Sequence, residues 1–207
     1  MKFSLSREAF LKPLQLVVGV VERRQTLPIL SNVLLSLEQS RLSMTGTDLE
    51  VEIVGVTDTD ATAEDGDITV SARKLVDICR SLPDGAMVDF SSSDGKATIK
   101  SGRSKFTLST LPANEFPSVD EGEKTVEFMV PGSVLKGLIE ATSFAMAQQD
   151  VRYYLNGMLW ELNENKLRAV ATDGHRMALC DGVCDVSVSE PITSIIPRKG
   201  IIELSRL

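Results

Sequence analysis

Histidine and tryptophan occur once each, tyrosine twice, and aromatic residues make up only 5% of the 207 residues. One histidine excludes most catalytic triads and most histidine-built metal centres. The cysteines, Cys79, Cys180 and Cys184, are odd in number and lack CxxC spacing. They form no disulfide framework, and Cys180 and Cys184 with His175 lack a fourth ligand for a zinc site. We expect no metal, no cofactor, and thiols that are buried or incidental in a reducing, cytoplasmic compartment. No apolar run approaches the ~20 residues of a membrane helix. The start of the chain, Met-Lys-Phe-Ser-Leu-Ser-Arg-Glu, lacks the apolar region of a secretory signal. P-loop, G-x-G-x-x-G and G-x-S-x-G patterns are missing too, as is any placed carboxylate pair. Asp173 and His175 stand two residues apart and make at most half a triad. The sequence does not read as an enzyme.

The few aromatic and imidazole groups are concentrated. Gln149 to Met177 holds both tyrosines, the tryptophan and the histidine. Its pattern predicts strands at Tyr154–Leu162 and Lys166–Thr172, joined at Asn163-Glu164-Asn165. Arg152, Tyr153, Tyr154 and Leu155 then lie at one strand end, and Thr172, Gly174, His175, Arg176 and Met177 at the other. Such a mixture suits binding. The plainer reading is a hairpin with core aromatics and a turn histidine.

Net charge is -7, yet the acids are local. Asp58, Asp60, Glu64, Asp65 and Asp67 crowd one loop, and Asp120, Glu121 and Glu123 another. Basic residues fall elsewhere, at Arg23-Arg24, Arg73-Lys74, Arg103 with Lys105, and Arg198-Lys199. Screening within ~8–10 Å leaves room for a local basic face. Solvated surface is the plainer account of such doublets.

Along the chain, residues 2–6 alternate as a strand. Ser6 then precedes Phe10, Leu11, Leu14, Val17, Val18 and Val21 at helical spacing, with Pro13 expected to bend the helix or delay its start. Strands are expected near Asn32–Glu38, Arg41–Thr47, Leu49–Thr57 and Ile68–Val70. Ser71 is a candidate N-cap for a helix bearing Leu75, Ile78, Cys79 and Leu82, stopped by Pro83-Asp84-Gly85. Strands near Ala86–Ser91, Ala97–Lys100 and Lys105–Ser109 follow. The Pro-containing acidic segment Leu111 to Glu123 marks a boundary, giving domains 1–122 and 123–207. The second begins with a strand at Val126–Val130 and a helix with Pro131 at its first position and Leu135, Leu138, Ile139 and Thr142 on one face. It ends with a strand at Ile192–Ile196 and a helix started by Pro197.

A shift of 125 places lays the sequence on itself without gaps. Leu30-Ser-Asn-Val-Leu-Leu-Ser-Leu falls on Leu155-Asn-Gly-Met-Leu-Trp-Glu-Leu, Thr47-Asp48 on Thr172-Asp173, and Arg73-Lys74 on Arg198-Lys199. The chain therefore holds two copies of a unit built as strand–helix–three strands done twice, an α+β arrangement. A complete second copy would run to about position 250, about 43 residues beyond Leu207. Positions shared by the copies read as scaffold. Tyr153-Tyr154 (against Pro28-Ile29) and Gly174-His175-Arg176 (against Leu49-Glu50-Val51) are what the second copy adds.

Six segments carry a specific resemblance over the whole chain: Thr26-Leu-Pro-Ile-Leu, Leu42-Ser-Met-Thr-Gly-Thr-Asp-Leu-Glu, Lys100-Ser-Gly-Arg-Ser-Lys-Phe, Gln149-Asp-Val-Arg-Tyr-Tyr-Leu-Asn-Gly-Met-Leu with Ala171-Thr-Asp-Gly-His-Arg, and Pro197-Arg-Lys-Gly. The chain resembles the bacterial sliding clamps, the β subunits of DNA polymerase III. The resemblance implies the DNA clamp fold, with helices on one face and antiparallel sheets on the other. It implies three such domains per subunit and a head-to-tail homodimeric ring around double-stranded DNA, without sequence preference. It also implies tethering of polymerase, clamp-loader and repair-protein peptides, with no catalysis and no membrane. Carried over residue by residue, DNA contact falls on Arg24, Arg73, Gln149, Tyr153, Tyr154, Arg198 and Lys199, through the phosphate backbone. The peptide pocket falls on Arg152, Tyr154, Leu155, Thr172, Gly174, His175, Arg176 and Met177, the last standing where many relatives have leucine. The dimer interface falls on Lys74, Arg103, Lys105, Phe106 and Leu108, expected on an exposed edge strand. Against that pattern the chain lacks the rest of the second domain and the third, so closed-ring formation, DNA loading and peptide binding are expected to be impaired. A DNA-independent interaction scaffold is the competing reading.

Overall fold

The computed structural model describes residues 1–21, 27–60, 62–117, 126–186 and 188–206. The chain divides into two compact units, Met1–Val119 and Asp120–Leu207. The expected boundary between residues 122 and 123 lies outside the described residues, as do Arg23, Arg24 and Thr26.

In unit 1, β1 (Lys2–Ser6) leads into α1 (Arg7–Val17), then β2 (Asn32–Glu38), β3 (Arg41–Thr47) and β4 (Glu52–Asp58). The pattern then repeats as β5 (Gly66–Ser71), α2 (Ala72–Ser81), β6 (Met87–Ser93), β7 (Lys96–Ser101) and β8 (Ser104–Leu111). The strands form one antiparallel sheet in the order β1-β6-β7-β8-β5-β2-β3-β4. Phe10, Leu11, Leu14 and Val17 put one stripe of α1 into the core. There Phe3 stacks on Phe90 at 4.8 Å and meets Phe10 edge-on at 5.5 Å.

Pro13 does not delay α1. The helix begins at Arg7, where the Ser6 side chain accepts from the Ala9 N–H, and runs through the proline. Burial of the apolar stripe outweighs the ~3 kcal/mol that an interior proline costs. The proline is itself buried on β4: a Cβ on Gly55 would stand 2.8 Å from its ring carbon. Gly46 on β3 lies as close to Val17. These two glycines let the strands approach the helix.

Unit 2 has α3 (Gly132–Thr142), β9 (Gly157–Asn163), β10 (Lys166–Thr172), β11 (Met177–Val183), β12 (Ile192–Pro197) and α4 (Arg198–Leu204). Its sheet order is β11-β10-β9-β12. The offset of 125 holds in three dimensions. It carries Arg7–Val17 onto Gly132–Thr142, and β2, β3 and β4 onto β9, β10 and β11 with identical bounds.

Several expectations change. Residues 126–130 form no strand and make one isolated bridge, Met129 to Asp185. Their counterpart β1 is held by β6, and no described strand of unit 2 offers that partner. Tyr154 and Leu155 belong to a 3-10 turn, Tyr153–Leu155, and β9 starts only at Gly157. β4 starts at Glu52 rather than Leu49, because residues 47–51 close a side-chain-capped turn. Ser71 stands at an N-cap position, but its hydroxyl caps nothing. Pro131 and Pro197 sit one residue ahead of their helices. No strand is expected at β11 from its own pattern, although the offset of 125 carries the expected strand Leu49–Thr57 onto residues 174–182. The strand bearing Lys105, Phe106 and Leu108 is not at the sheet edge in strand order, since β8 lies between β7 and β5. β5, however, pairs only with Thr110 and Leu111, so the stretch from Ser104 to Ser109 is laddered on its β7 side alone.

Candidate functional site

The second copy's additions meet at one surface of unit 2, where the 3-10 turn Tyr153–Leu155 stands beside the β10–β11 turn. Arg152 links them. Its guanidinium donates to both carboxylate oxygens of Asp150, Nε at 3.0 Å and Nη2 at 2.9 Å, and its backbone N–H donates to the same carboxylate. Held so, it lies on Gly174, where a Cβ would stand 3.0 Å from Nη2. Gly174 has φ 85°, a conformation that glycine adopts without steric cost. Arg152, through its side-chain and then its backbone hydrogen bond, pushes the Asp150 carboxyl down to about 2. Asn156 completes this corner: its amide accepts from the Asp150 N–H and donates to the Asp150 carbonyl.

The β10–β11 turn is built by two side chains. Thr172 Oγ1 accepts from Gly174 N–H at 3.1 Å and donates to the Arg176 carbonyl at 2.8 Å. Asp173 Oδ1 accepts from the N–H groups of His175 and Arg176, both at 3.0 Å. Those two backbone bonds hold the Asp173 carboxyl below its ordinary range. The carboxylate orders the turn backbone and is not a partner for an imidazole in a triad. Arg176 donates to Asp173 Oδ2 at 3.0 Å and to the Phe144 carbonyl at 2.8 Å, with its guanidinium carbon 5.6 Å from the Phe144 ring centre.

Around this frame the exposed apolar groups include Val151, Tyr153, Tyr154, Met177 and Phe144. The two tyrosine rings meet edge-on at 5.9 Å. Leu155, the last residue of the same 3-10 turn, is buried. Thr172 is half-buried, while Gly174, His175 and Arg176 are exposed. Asp150, Asn156 and Phe144 were missed from sequence. Their counterparts in the first copy are Gln25, Ser31 and Gly19, so copy-to-copy difference was the signal that would have found them.

The other expected residues are dispersed. Gln149 is exposed with φ 56°. Arg198 opens α4, where its guanidinium donates to the Met146 carbonyl at 3.2 Å, and Lys199 follows it. In unit 1, Arg73 is on the first turn of α2 and donates to the Val21 carbonyl at 3.1 Å. Lys74, Arg103 and Lys105 are exposed, whereas Phe106 and Leu108 pack against the core. Among the described residues no cluster of three or more His, Cys, Asp or Glu is placed to hold a metal, and no helix is long and apolar enough to cross a membrane.

Two family models match the chain. DNA polymerase III beta subunit, N-terminal domain, covers residues 1–120, and DNA polymerase III beta subunit, central domain, covers residues 129–207. The beta sliding clamp of Pseudomonas putida is 60% identical over 207 residues, and that of Escherichia coli K12 is 51% identical over 210 residues. Each comparison covers 100% of this chain and 56% of the relative, so the chain spans little more than half their length. The crystal structure of the DNA polymerase III subunit beta from Pseudomonas aeruginosa superposes with a TM-score of 0.96 at 59% identity. That of Caulobacter crescentus does so at 0.92 and 44%, and both again cover 100% of this chain and 56% of the other.

Proposed function

The chain belongs to the DNA polymerase III beta subunit family, the beta sliding clamps, and from that premise we propose that it supplies a processivity factor with DNA-facing and partner-facing surfaces. In this reading the longer subunit encircles duplex DNA without sequence preference and catalyses nothing. It tethers polymerase, clamp-loader and repair proteins by short extended peptides. The N-terminal domain is assigned to residues 1–122 and part of the central domain to 123–207.

The observation that carries the partner-facing surface is the seating of Arg152 on Gly174. It fixes a cationic group between the turn that carries exposed Tyr154 and buried Leu155 and the turn that leads into exposed Met177. An extended apolar segment fits such a surface, with its side chains against Tyr154, Leu155 and Met177 and its polar backbone near Arg152, His175 and Arg176. The DNA-facing role is assigned to Arg24, Arg73, Gln149, Tyr153, Tyr154, Arg198 and Lys199. Arg73 and Arg198 stand at helix starts, where backbone N–H groups and the helix dipole also favour phosphate. Lys74, Arg103, Lys105, Phe106 and Leu108 are assigned to contact between subunits of a head-to-tail homodimer. The half-laddered stretch of β8 supports this, because its unpaired backbone groups invite another strand.

A DNA-independent scaffold is the second reading. The observation in its favour is that the guanidinium groups of Arg73 and Arg198 already serve backbone carbonyls. Duplex DNA titrated at increasing salt separates the two. Phosphate contact gives a steep linear fall of log affinity with log salt, whereas a scaffold gives no such slope.

A further inference from the structure

Residues 47–51 and 172–176 form the same turn twice. In unit 1, Thr47 Oγ1 accepts from Leu49 N–H at 3.0 Å, and Asp48 Oδ1 accepts from Glu50 and Val51 N–H at 3.0 and 2.8 Å. Thr172 and Asp173 repeat each of these bonds in unit 2. The groups displayed on the common frame are different. Gly174 at φ 85° is replaced by Leu49 at φ 79°, a conformation that a leucine side chain opposes sterically. Arg152, which lies on Gly174 in unit 2, corresponds to Leu27 in unit 1. Leu49 is 53% exposed and Leu27 50% exposed. Among the described residues, neither belongs to the unit 1 core. A strained, half-exposed leucine at a glycine position adds nothing to packing, so its side chain needs another use.

The rims differ in sign as well. Residues 48–52 read Asp-Leu-Glu-Val-Glu, with Glu50 and Glu52 exposed, whereas residues 173–177 read Asp-Gly-His-Arg-Met beside Arg152. One turn frame thus displays an exposed leucine among exposed acids in unit 1 and a glycine among cations in unit 2, and the repeat sets Leu27 opposite Leu49 as Arg152 is set on Gly174.

We propose that the Leu27–Leu49 face of unit 1 is a second peptide-docking surface, selective for an apolar segment flanked by lysine or arginine. Charge complementarity to Glu50 and Glu52 selects the flanks, and the two leucines take the apolar residues. The inference draws on the turn frame that unit 2 uses in the proposed function, but it stands on unit 1 side chains alone.

The test is fluorescence anisotropy with a labelled peptide of two leucines between lysine pairs, and with its glutamate-flanked counterpart. The lysine peptide should bind, and the glutamate peptide should bind at least about tenfold more weakly. Leu49→Gly should weaken the lysine peptide by about tenfold or more, the loss expected for one leucine contact. The melting temperature of that variant should stay at or above the parent's, because glycine accepts the positive φ. Leu27→Ser should act in the same direction, and Tyr154→Ala should leave the lysine peptide unaffected. The proposal is overturned if the lysine peptide does not bind, if both leucine variants bind it as the parent does, or if Tyr154→Ala abolishes its binding, which would put the peptide on unit 2. Failure of a full-length subunit to bind an apolar peptide on unit 2 would overturn the partner-facing reading and leave these outcomes readable.

Discussion

Arg152 rests on Gly174 so closely that the glycine's missing Cβ would fall 3.0 Å from the guanidinium Nη2. Gly174→Ala therefore meets two obstacles, the φ of 85° and the arginine above it. We expect about 1–2 kcal/mol of lost stability, measured by urea unfolding. Peptide affinity should fall as well, since Arg152 must leave its place. Unchanged peptide binding in this variant would remove Arg152 from the partner-facing surface.

Gly46 and Gly55 give a second prediction. A Cβ at Gly46 would stand 2.7 Å from Val17 Cγ1, and one at Gly55 2.8 Å from Pro13 Cβ and 3.0 Å from its carbonyl oxygen. Alanine at either site should push α1 off the sheet and cost about 1–3 kcal/mol. Thermal melts of the two single variants check this, with Gly95→Ala, which has open space but a positive φ, separating packing from backbone strain.

Acid sensitivity follows from Asp150 and Asp181. Hydrogen bonds from Arg152 lower the first carboxyl to about 2, and those from Arg168 lower the second to about 2, against an ordinary 3.8. A folded-state pKa below the unfolded one means stabilisation that is complete above pH ~4 and is lost as pH falls toward 2. Urea midpoints should drop across that window. Asp150→Asn with Asp181→Asn should flatten the drop, and a parallel slope in the double variant would assign the acid transition to other carboxylates.

The DNA-facing assignment predicts that Arg24→Ala with Arg73→Ala, carried in a ring-forming subunit, weakens duplex binding and lowers the salt slope by about two. Peptide binding should be intact. Equal loss of both activities would mean that the two surfaces are misassigned.

Trp160 offers a packing test. Its indole N–H is buried with no partner among the described residues. Trp160→Phe removes that unpaired donor and keeps most of the ring, so stability should change by no more than about 1 kcal/mol in either direction. A larger loss in calorimetry would mean that the indole contributes through packing or through an acceptor for its N–H, and Trp160→Phe with a filling substitution at Ile192 separates the two.

Much of this protein is determined by its sequence alone. Alternation and turn chemistry place β2 and β3 at their observed bounds, because period-two burial and tight polar turns are local properties. The offset of 125 separates shared frame from added groups, and the structure repeats the turn's N–H to Oγ1 bond at Thr47 and Thr172. The tertiary structure decided what depends on distant partners. Residues 126–130 have a strand's pattern but no strand to pair with, and Pro13 survives inside α1 because Gly55 makes room for it. Tyr154 and Leu155 leave the strand for a turn in which one side chain is exposed and the other buried. The seat of Arg152 needs Asp150, Asn156 and Gly174 together, brought from two turns that pattern alone could not bring into contact. The Gln149–Met177 stretch announced its residues in sequence, but long-range packing decided which of them share a surface.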